Sequence, residues 1–251
     1  MLWTALGISE PGIIACVGAG GKTSLLQSLA VCACRRGVPV MVTTTTRMLY
    51  NQIAGYKHTL TANYTAGQEQ VAAALGKKGI IAWLSGLAGE KVIGLPADWI
   101  DRLSSSLPSA YFLVEADGAR CSLIKAPAEH EPVVPASTAI TVGVLNLSVL
   151  GQHFSETNTY RMDLVSKIIH KQAGEIAGWL DLARLTVHRQ GIFQYARGTK
   201  VLLLSGGGQP GSQAAAAQIA AYCRLANAAI ERVVVSTGYG DVMLPAAVYQ
   251  L

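Results

Sequence analysis

A lysine and a threonine set directly behind a glycine-rich turn are the residues of this chain best equipped for chemistry. The run Ile13-Ile14-Ala15-Cys16-Val17-Gly18-Ala19-Gly20-Gly21-Lys22-Thr23-Ser24 reads as a short buried strand, a glycine loop, and a helix opened by Lys-Thr-Ser. In that order, successive backbone N–H groups and the helix N-terminus can hold a polyphosphate. Gly18, Ala19, Gly20 and Gly21 then form the cradle, Lys22 reaches the β- and γ-phosphates, and the Thr23 hydroxyl ligates Mg²⁺, with Ser24 completing the binding stretch. The full pattern places a glycine five residues before Gly21, and Cys16 stands there instead. The shortened loop keeps the amides beside the lysine, which make the cradle. The alternative is an ordinary glycine-rich strand-to-helix turn.

A phosphate loop of this kind needs an acid at the end of a neighbouring apolar strand to support the metal. Phe112-Leu113-Val114-Glu115-Ala116-Asp117-Gly118 supplies two. Alternation along an extended backbone puts Glu115 and Asp117 on the same side. One can hold Mg²⁺, directly or through water, while the other orients a water or accepts a proton, and Gly118 lets the backbone approach the γ-phosphate. A turn acid capping the next element is the alternative.

Two further groups could contribute. Thr43-Thr44-Thr45-Thr46 follows the apolar run Val38-Pro39-Val40-Met41-Val42, and Thr44 or Thr45 could contact the metal or the γ-phosphate. The competing explanation is threonine's preference for strands. Lys125-Ala126-Pro127-Ala128-Glu129-His130-Glu131-Pro132 is a stiff, proline-rich loop whose Lys125 could contact a phosphate or an anionic substrate. Three adjacent residues such as Glu129, His130 and Glu131 rarely share one metal, so a solvated charged loop is an equal reading. Arg120 and Arg161 are candidate anion contacts or surface residues. His58, His153, His170 and His188 show no ligand spacing.

The elements that must position these residues alternate between strand and helix. Strands are expected at 13–17, 38–42, 111–114, 139–145, 201–204 and 232–235, and helices at 23–36, 68–75, 96–103, from 164 to 170, and 213–230. Arg35 and Arg36 suit the last turn of the first long helix, and Gly37 ends it. Short strands at 79–84 and 91–93 suggest a small antiparallel excursion. The pattern predicts an α/β fold with a doubly wound, mostly parallel sheet of P-loop NTPase type, formed as a single domain over 1–251 with a small α/β insertion at about 50–108.

Composition narrows the class. The chain has 251 residues, 51% hydrophobic and 14% charged, which permits a large core under a lightly charged surface. No stretch has the apolar length of a membrane span. Met1-Leu2-Trp3-Thr4-Ala5 lacks a basic segment followed by an apolar core, so a cytoplasmic location is expected. Cys16, Cys32, Cys34, Cys121 and Cys223 form no C-x-x-C pair, which argues for reduced thiols rather than disulfides or zinc. The net charge of +5 is scattered, without a basic tail or aromatic-rich signature. It points to anionic small molecules rather than nucleic acid.

Taken together, V-G-A-G-G-K-T at 17–23, V-T-T-T-T-R-M at 42–48, E-A-D-G-A at 115–119 and K-A-P-A-E-H-E-P at 125–132 resemble the YqeC-type family, described as accessory proteins of selenium-dependent molybdenum hydroxylases. The resemblance implies a P-loop NTPase-like fold and a role in maturing a molybdenum enzyme or its cofactor. It carries phosphate binding onto Gly18, Gly20, Gly21, Lys22 and Thr23. Metal and γ-phosphate contact fall on Thr43 to Thr46, Glu115, Asp117 and Gly118, and a substrate role falls on Lys125 and the loop to Pro132. Two departures are visible. Ser205-Gly206-Gly207-Gly208-Gln209 stands where an Asn-Lys-x-Asp-like segment would read guanine, which leaves ATP and GTP both open. Tyr160-Arg161 stands in place of His-Arg.

The leading reading is therefore an Mg-nucleoside-triphosphate-dependent accessory factor, an NTPase acting with molybdenum cofactor and a molybdenum hydroxylase as partners. One alternative is an ATP-dependent ligase or small-molecule kinase, since shortened loops also occur in amide ligases. Another is a non-catalytic carrier of nucleotide or molybdopterin dinucleotide.

Overall fold

The computed structural model describes residues 1–77 and 79–251. The chain runs through α1 (Leu2–Ala5), β1 (Gly12–Gly18), α2 (Lys22–Arg36), β2 (Val40–Thr44), β3 (Arg47–Leu49), β4 (Lys57–Leu60), α3 (Tyr64–Leu75), β5 (Ile80–Leu84), β6 (Gly86–Ala88), β7 (Lys91–Ile93) and α4 (Ala97–Ser106). It continues through β8 (Tyr111–Glu115), β9 (Ile124–Lys125), β10 (Thr138–Asn146), β11 (Thr159–Tyr160), α5 (Met162–Ile169), α6 (Trp179–Val187), β12 (Thr199–Ser205), α7 (Ser212–Leu225), β13 (Arg232–Thr237) and β14 (Leu244–Gln250).

Nine strands form one sheet in the order β14-β13-β12-β10-β1-β8-β2-β5-β4. All neighbours are parallel except β13 and β14. The apolar runs explain this arrangement, because a parallel strand covered on both faces must be hydrophobic throughout. β1 is buried from Ile13 to Gly18. Leu202 and Leu204 of β12 pack among residues of α5, α6 and α7, while Val201 and Leu203 of the same strand join the cluster that contains Leu25, Leu29 and Ala33 of α2. Helices cover both faces, which makes the fold the doubly wound α/β architecture expected from the sequence. β1 lies between β8 and β10, so the loops leaving these three strands meet at one edge, where open α/β sheets bind ligands.

Several boundaries differ from the sequence reading. Asn63 caps α3 by accepting from Ala66 N–H at 3.0 Å, so this helix begins four residues earlier than expected. Pro96 is the N-cap of α4 rather than part of its first turn. α7 ends at Leu225, not near 230. α1, α6 and β14 have no counterpart in the expected elements. The stretch 50–108, expected as an insertion, contributes β4 and β5 to the main sheet. The antiparallel excursion is limited to β3, β7 and β6, which pair in that order. Among the described residues, no helix is long and apolar enough to cross a membrane.

Candidate functional site

The glycine loop between β1 and α2 is fixed from two sides. Gly20 has φ +77, and a Cβ there would lie 2.4 Å from the Leu123 carbonyl oxygen and 2.5 Å from Asn146 Cβ, so only glycine fits. Its own carbonyl accepts Asn146 Nδ2 at 2.9 Å and Ser205 Oγ at 2.5 Å. The loop is thereby tied to the ends of β10 and β12. Ala19 N–H donates to the Val144 carbonyl at 2.9 Å, and Gly18 N–H donates to Asp117 Oδ2 at 3.0 Å. Beyond these anchors, among the described residues, the N–H groups of Gly20, Gly21, Lys22, Thr23 and Ser24 have no protein acceptor. They are the unsatisfied donors of a helix start, and with the helix dipole they favour an anion. Gly20 to Ser24 line a cavity of about 770 Å³.

Lys22 also lines this cavity, yet it is only 4% exposed. Its amine donates to the Gly18 carbonyl at 2.6 Å and pairs with Asp117 Oδ1 at 3.0 Å. Burial alone would lower its pKa, but the charges of Asp117 and Glu115 outweigh it and hold the ammonium above its ordinary value. Asp117 is 1% exposed and does not line the cavity. Its Oδ2 pairs with Lys125 at 3.0 Å, and the fully buried Lys125 continues to the Gly118 carbonyl at 2.7 Å and to Glu131 at 2.9 Å. Arg161 closes the series with two contacts on Glu131, at 2.5 and 2.9 Å. Burial by itself would raise the Glu131 pKa, but the Arg161 guanidinium and Lys125 hold it down at about 2.

The structure thus separates the two acids that sequence alternation placed together. Glu115 faces the cavity, and Thr23 Oγ1 donates to its Oε2 at 3.3 Å. Burial raises the Glu115 pKa, with Lys22 opposing. Gln52 Nε2 donates to Thr23 Oγ1 at 3.1 Å. Thr23 and Glu115 are oxygen donors of the kind Mg²⁺ takes alongside several waters. Among the described residues, no group of three or more His, Cys, Asp or Glu side chains is arranged to hold a metal. Asp117, expected at the metal, lies behind the loop as the shared anion of two lysines. Lys125, expected to contact phosphate, has its ammonium saturated by protein oxygens and does not reach the cavity.

The threonines also divide. Thr43 Oγ1 donates to the Trp83 carbonyl at 2.6 Å, and Thr44 Oγ1 donates to the Glu115 carbonyl at 2.7 Å. Thr45 Oγ1 reaches the Val133 carbonyl at 2.8 Å. These three hydroxyls bind the sheet and its loops together, and the fourth residue, Thr46, lines the cavity. Gly118 borders the cavity with open space where a Cβ would stand. Glu129 lines a separate cavity of about 940 Å³ with Lys167 and Arg189, so it shares no site with Glu131. Asn146, Ser205 and Gln52 were not singled out from the sequence. The first two could have been found as polar residues ending apolar strands at the ligand-binding edge.

Residues 14–163 match the family described as YqeC protein. The protein YqeC of Escherichia coli (strain K12) is 33% identical over 186 residues, which cover 74% of this chain and 71% of that relative. Among solved structures, chloroplast FtsY from Physcomitrella patens aligns with a TM-score of 0.44 at 16% identity, covering 96% of this chain and 64% of that one. The signal recognition particle 54 kDa protein from Aeropyrum pernix K1, in complex with GDP, gives 0.38 at 15%, covering 94% and 44%. The chain spans less than two thirds of either structure's length.

Proposed function

We propose that this chain, which belongs to the YqeC family, binds a magnesium nucleoside triphosphate at Gly20 to Ser24 and acts on its γ-phosphoryl group as an NTPase. The observation that carries this reading is that residues Gly20 to Ser24, whose N–H groups have no protein acceptor among the described residues, line a cavity together with the charged Lys22. Such amides hold a β-phosphate without further help from side chains. Lys22 leaves the Gly18 carbonyl and bridges the β- and γ-phosphates, while Asp117 keeps the amine charged and aligned. Thr23 and Glu115 would hold Mg²⁺, which would supply neutralising charge for phosphoryl transfer. Gly118, with no side chain, lets its backbone approach the γ-phosphate. Phosphoryl transfer needs positioning and charge neutralisation more than covalent chemistry by the protein, and these residues provide both.

Base preference is open on chemical grounds. Ser205 to Gln209 offers no carboxylate for a guanine edge, and the Asn146 amide is engaged by Gly20 and Ser148. The wider role follows the family resemblance: nucleotide turnover coupled to maturation of a selenium-dependent molybdenum hydroxylase or its cofactor. Pull-down with such a hydroxylase, repeated with and without Mg-ATP or Mg-GTP, tests that part.

Calorimetric titration with Mg-ATP and Mg-GTP, followed by phosphate-release assays, tests the nucleotide reading. Saturable binding of one of them with slow phosphate release supports it. Absence of binding for both at millimolar concentration contradicts it.

A further inference from the structure

Of the four cations that line the cavity beside the glycine loop, three have no acid partner among the described residues. Arg47, Lys91 and Arg120 line it together with Lys22. Lys22 is paired with Asp117, and Glu131, one of the two acids on the wall, is paired with Lys125 and Arg161. Glu115 is the other acid, and the nucleotide reading gives it to the metal. Among the described residues, Arg47, Lys91 and Arg120 enter no salt bridge. Three cations without acid partners therefore line one concave site, where field lines concentrate.

Two of them are placed there by the small antiparallel sheet. β3 pairs with β7 so that Arg47 stands opposite Ile93, Met48 opposite Val92, and Leu49 opposite Lys91. Met48 and Val92 are buried in a cluster with Ile53, Ala82 and Leu84. Side chains alternate across a strand, so burying Met48 and Val92 puts Arg47 and Lys91 on the opposite face of this small sheet; both are exposed and line the cavity. The third cation comes from the loop after the acidic strand. Arg120 and Cys121 both hold left-handed backbone, with φ 47 and 62, a conformation that residues with side chains adopt rarely. The Arg120 guanidinium lies 5.3 Å from the centre of the Tyr160 ring, which also lines the cavity. Two independent pieces of chain thus bring cations to the same cavity, one of them two residues beyond Gly118.

We infer that Arg47, Lys91 and Arg120 bind a second, oxyanion-bearing small molecule, a phosphate ester or a carboxylate, next to the γ-phosphate. This rests on the nucleotide reading and deepens it: the anion is a second ligand of the same cavity, held beside the γ-phosphate. Guanidinium groups hold phosphate and carboxylate alike through paired N–H donors.

The test is calorimetry on the full chain saturated with Mg²⁺ and a non-hydrolysable ATP or GTP analogue. Inorganic phosphate and malonate are titrated separately, to distinguish the two oxyanion sources. At least one of them should bind at one per chain. Arg120→Ala, and the double change Arg47→Ala with Lys91→Ala, should each weaken that binding about tenfold or more, the loss of a charged hydrogen bond. Analogue affinity should change by less than about twofold. Absence of binding by both anions to the loaded protein overturns the inference. So does an equal loss of analogue affinity in the variants, which would assign the cations to the nucleotide. Should no analogue bind the parent protein, the nucleotide reading has failed by itself. The same titrations on unloaded protein then decide the anion site: sensitivity to Arg120→Ala keeps it, and sensitivity only to Lys22→Ala removes it.

Discussion

Lys22 Nζ and Asp117 Oδ1 meet at 3.0 Å in the interior, although one belongs to the first turn of α2 and the other to the loop after β8. This contact starts a line of alternating charge, Lys22–Asp117–Lys125–Glu131–Arg161, that runs from the glycine loop into the stretch 125–132. Asp117 also accepts Gly18 N–H, so one carboxylate fixes the loop backbone, its lysine and the neighbouring lysine. A triphosphate bound as proposed would have to compete for Lys22 against this carboxylate.

Asp117→Ala should be among the most destabilising single changes in the chain. It leaves two buried ammonium groups without their shared anion, and breaking a buried pair in this way costs about 3–5 kcal/mol. Urea unfolding of parent and variant measures it. A loss below about 1 kcal/mol would remove Asp117 from its role as the anchor of the loop.

Glu131 should leave a signature in acid. Its folded-state pKa is depressed from an ordinary 4.5 to about 2. Its contribution is therefore complete above 4.5 and disappears as pH falls through about 2. With allowance for solvent screening this amounts to about 1–3 kcal/mol. Unfolding free energies collected from pH 6 to 2 should fall more steeply in the parent than in Glu131→Gln. Superimposable curves would show that the pairing with Lys125 and Arg161 contributes nothing.

Gly20→Ala should disturb the loop rather than the sheet. The added methyl meets backbone and side-chain carbon at about 2.4–2.5 Å, and the φ of +77 is itself unfavourable for alanine. Left-handed strain adds about 1–3 kcal/mol to that clash. A lowered melting temperature together with lost nucleotide affinity is expected. Parent-like values for both would mean that the loop can re-form without its close approach to Leu123 and Asn146.

Metal dependence should follow Glu115. Burial raises its pKa, and Mg²⁺ needs the ionised form, so metal binding should release protons and strengthen as pH rises. Glu115→Gln should still bind nucleotide but lose Mg²⁺-dependent turnover and most of that pH response. Unchanged turnover in the variant would place the metal elsewhere.

The glycine loop was legible because its signal is local: apolar strand, glycines, Lys-Thr and helix arrive in one stretch. The acids and Lys125 were legible as residues but not as roles. Sequence spacing cannot tell which way a loop side chain turns after a strand ends, and Asp117 turns behind the loop while Glu115 stays on β8 and faces the cavity. The threonines show the same limit, since Thr43 and Thr44 lie within β2 and hydrogen-bond to neighbouring strands. β14 was missed because its burial alternates along an edge strand containing Pro245, a pattern weaker than the apolar runs of the central strands. Arg47 and Lys91 converge only through the pairing of β3 with β7, which is invisible until two distant segments are placed side by side.

The most direct measurement is a crystal structure of the chain with Mg²⁺ and a non-hydrolysable ATP or GTP analogue. The account predicts a β-phosphate within hydrogen-bond reach of the Gly20 to Ser24 amides, with Lys22 Nζ moved from the Gly18 carbonyl onto phosphate oxygen. An analogue bound elsewhere at saturation, with Lys22 still on Gly18 and Asp117, would contradict it.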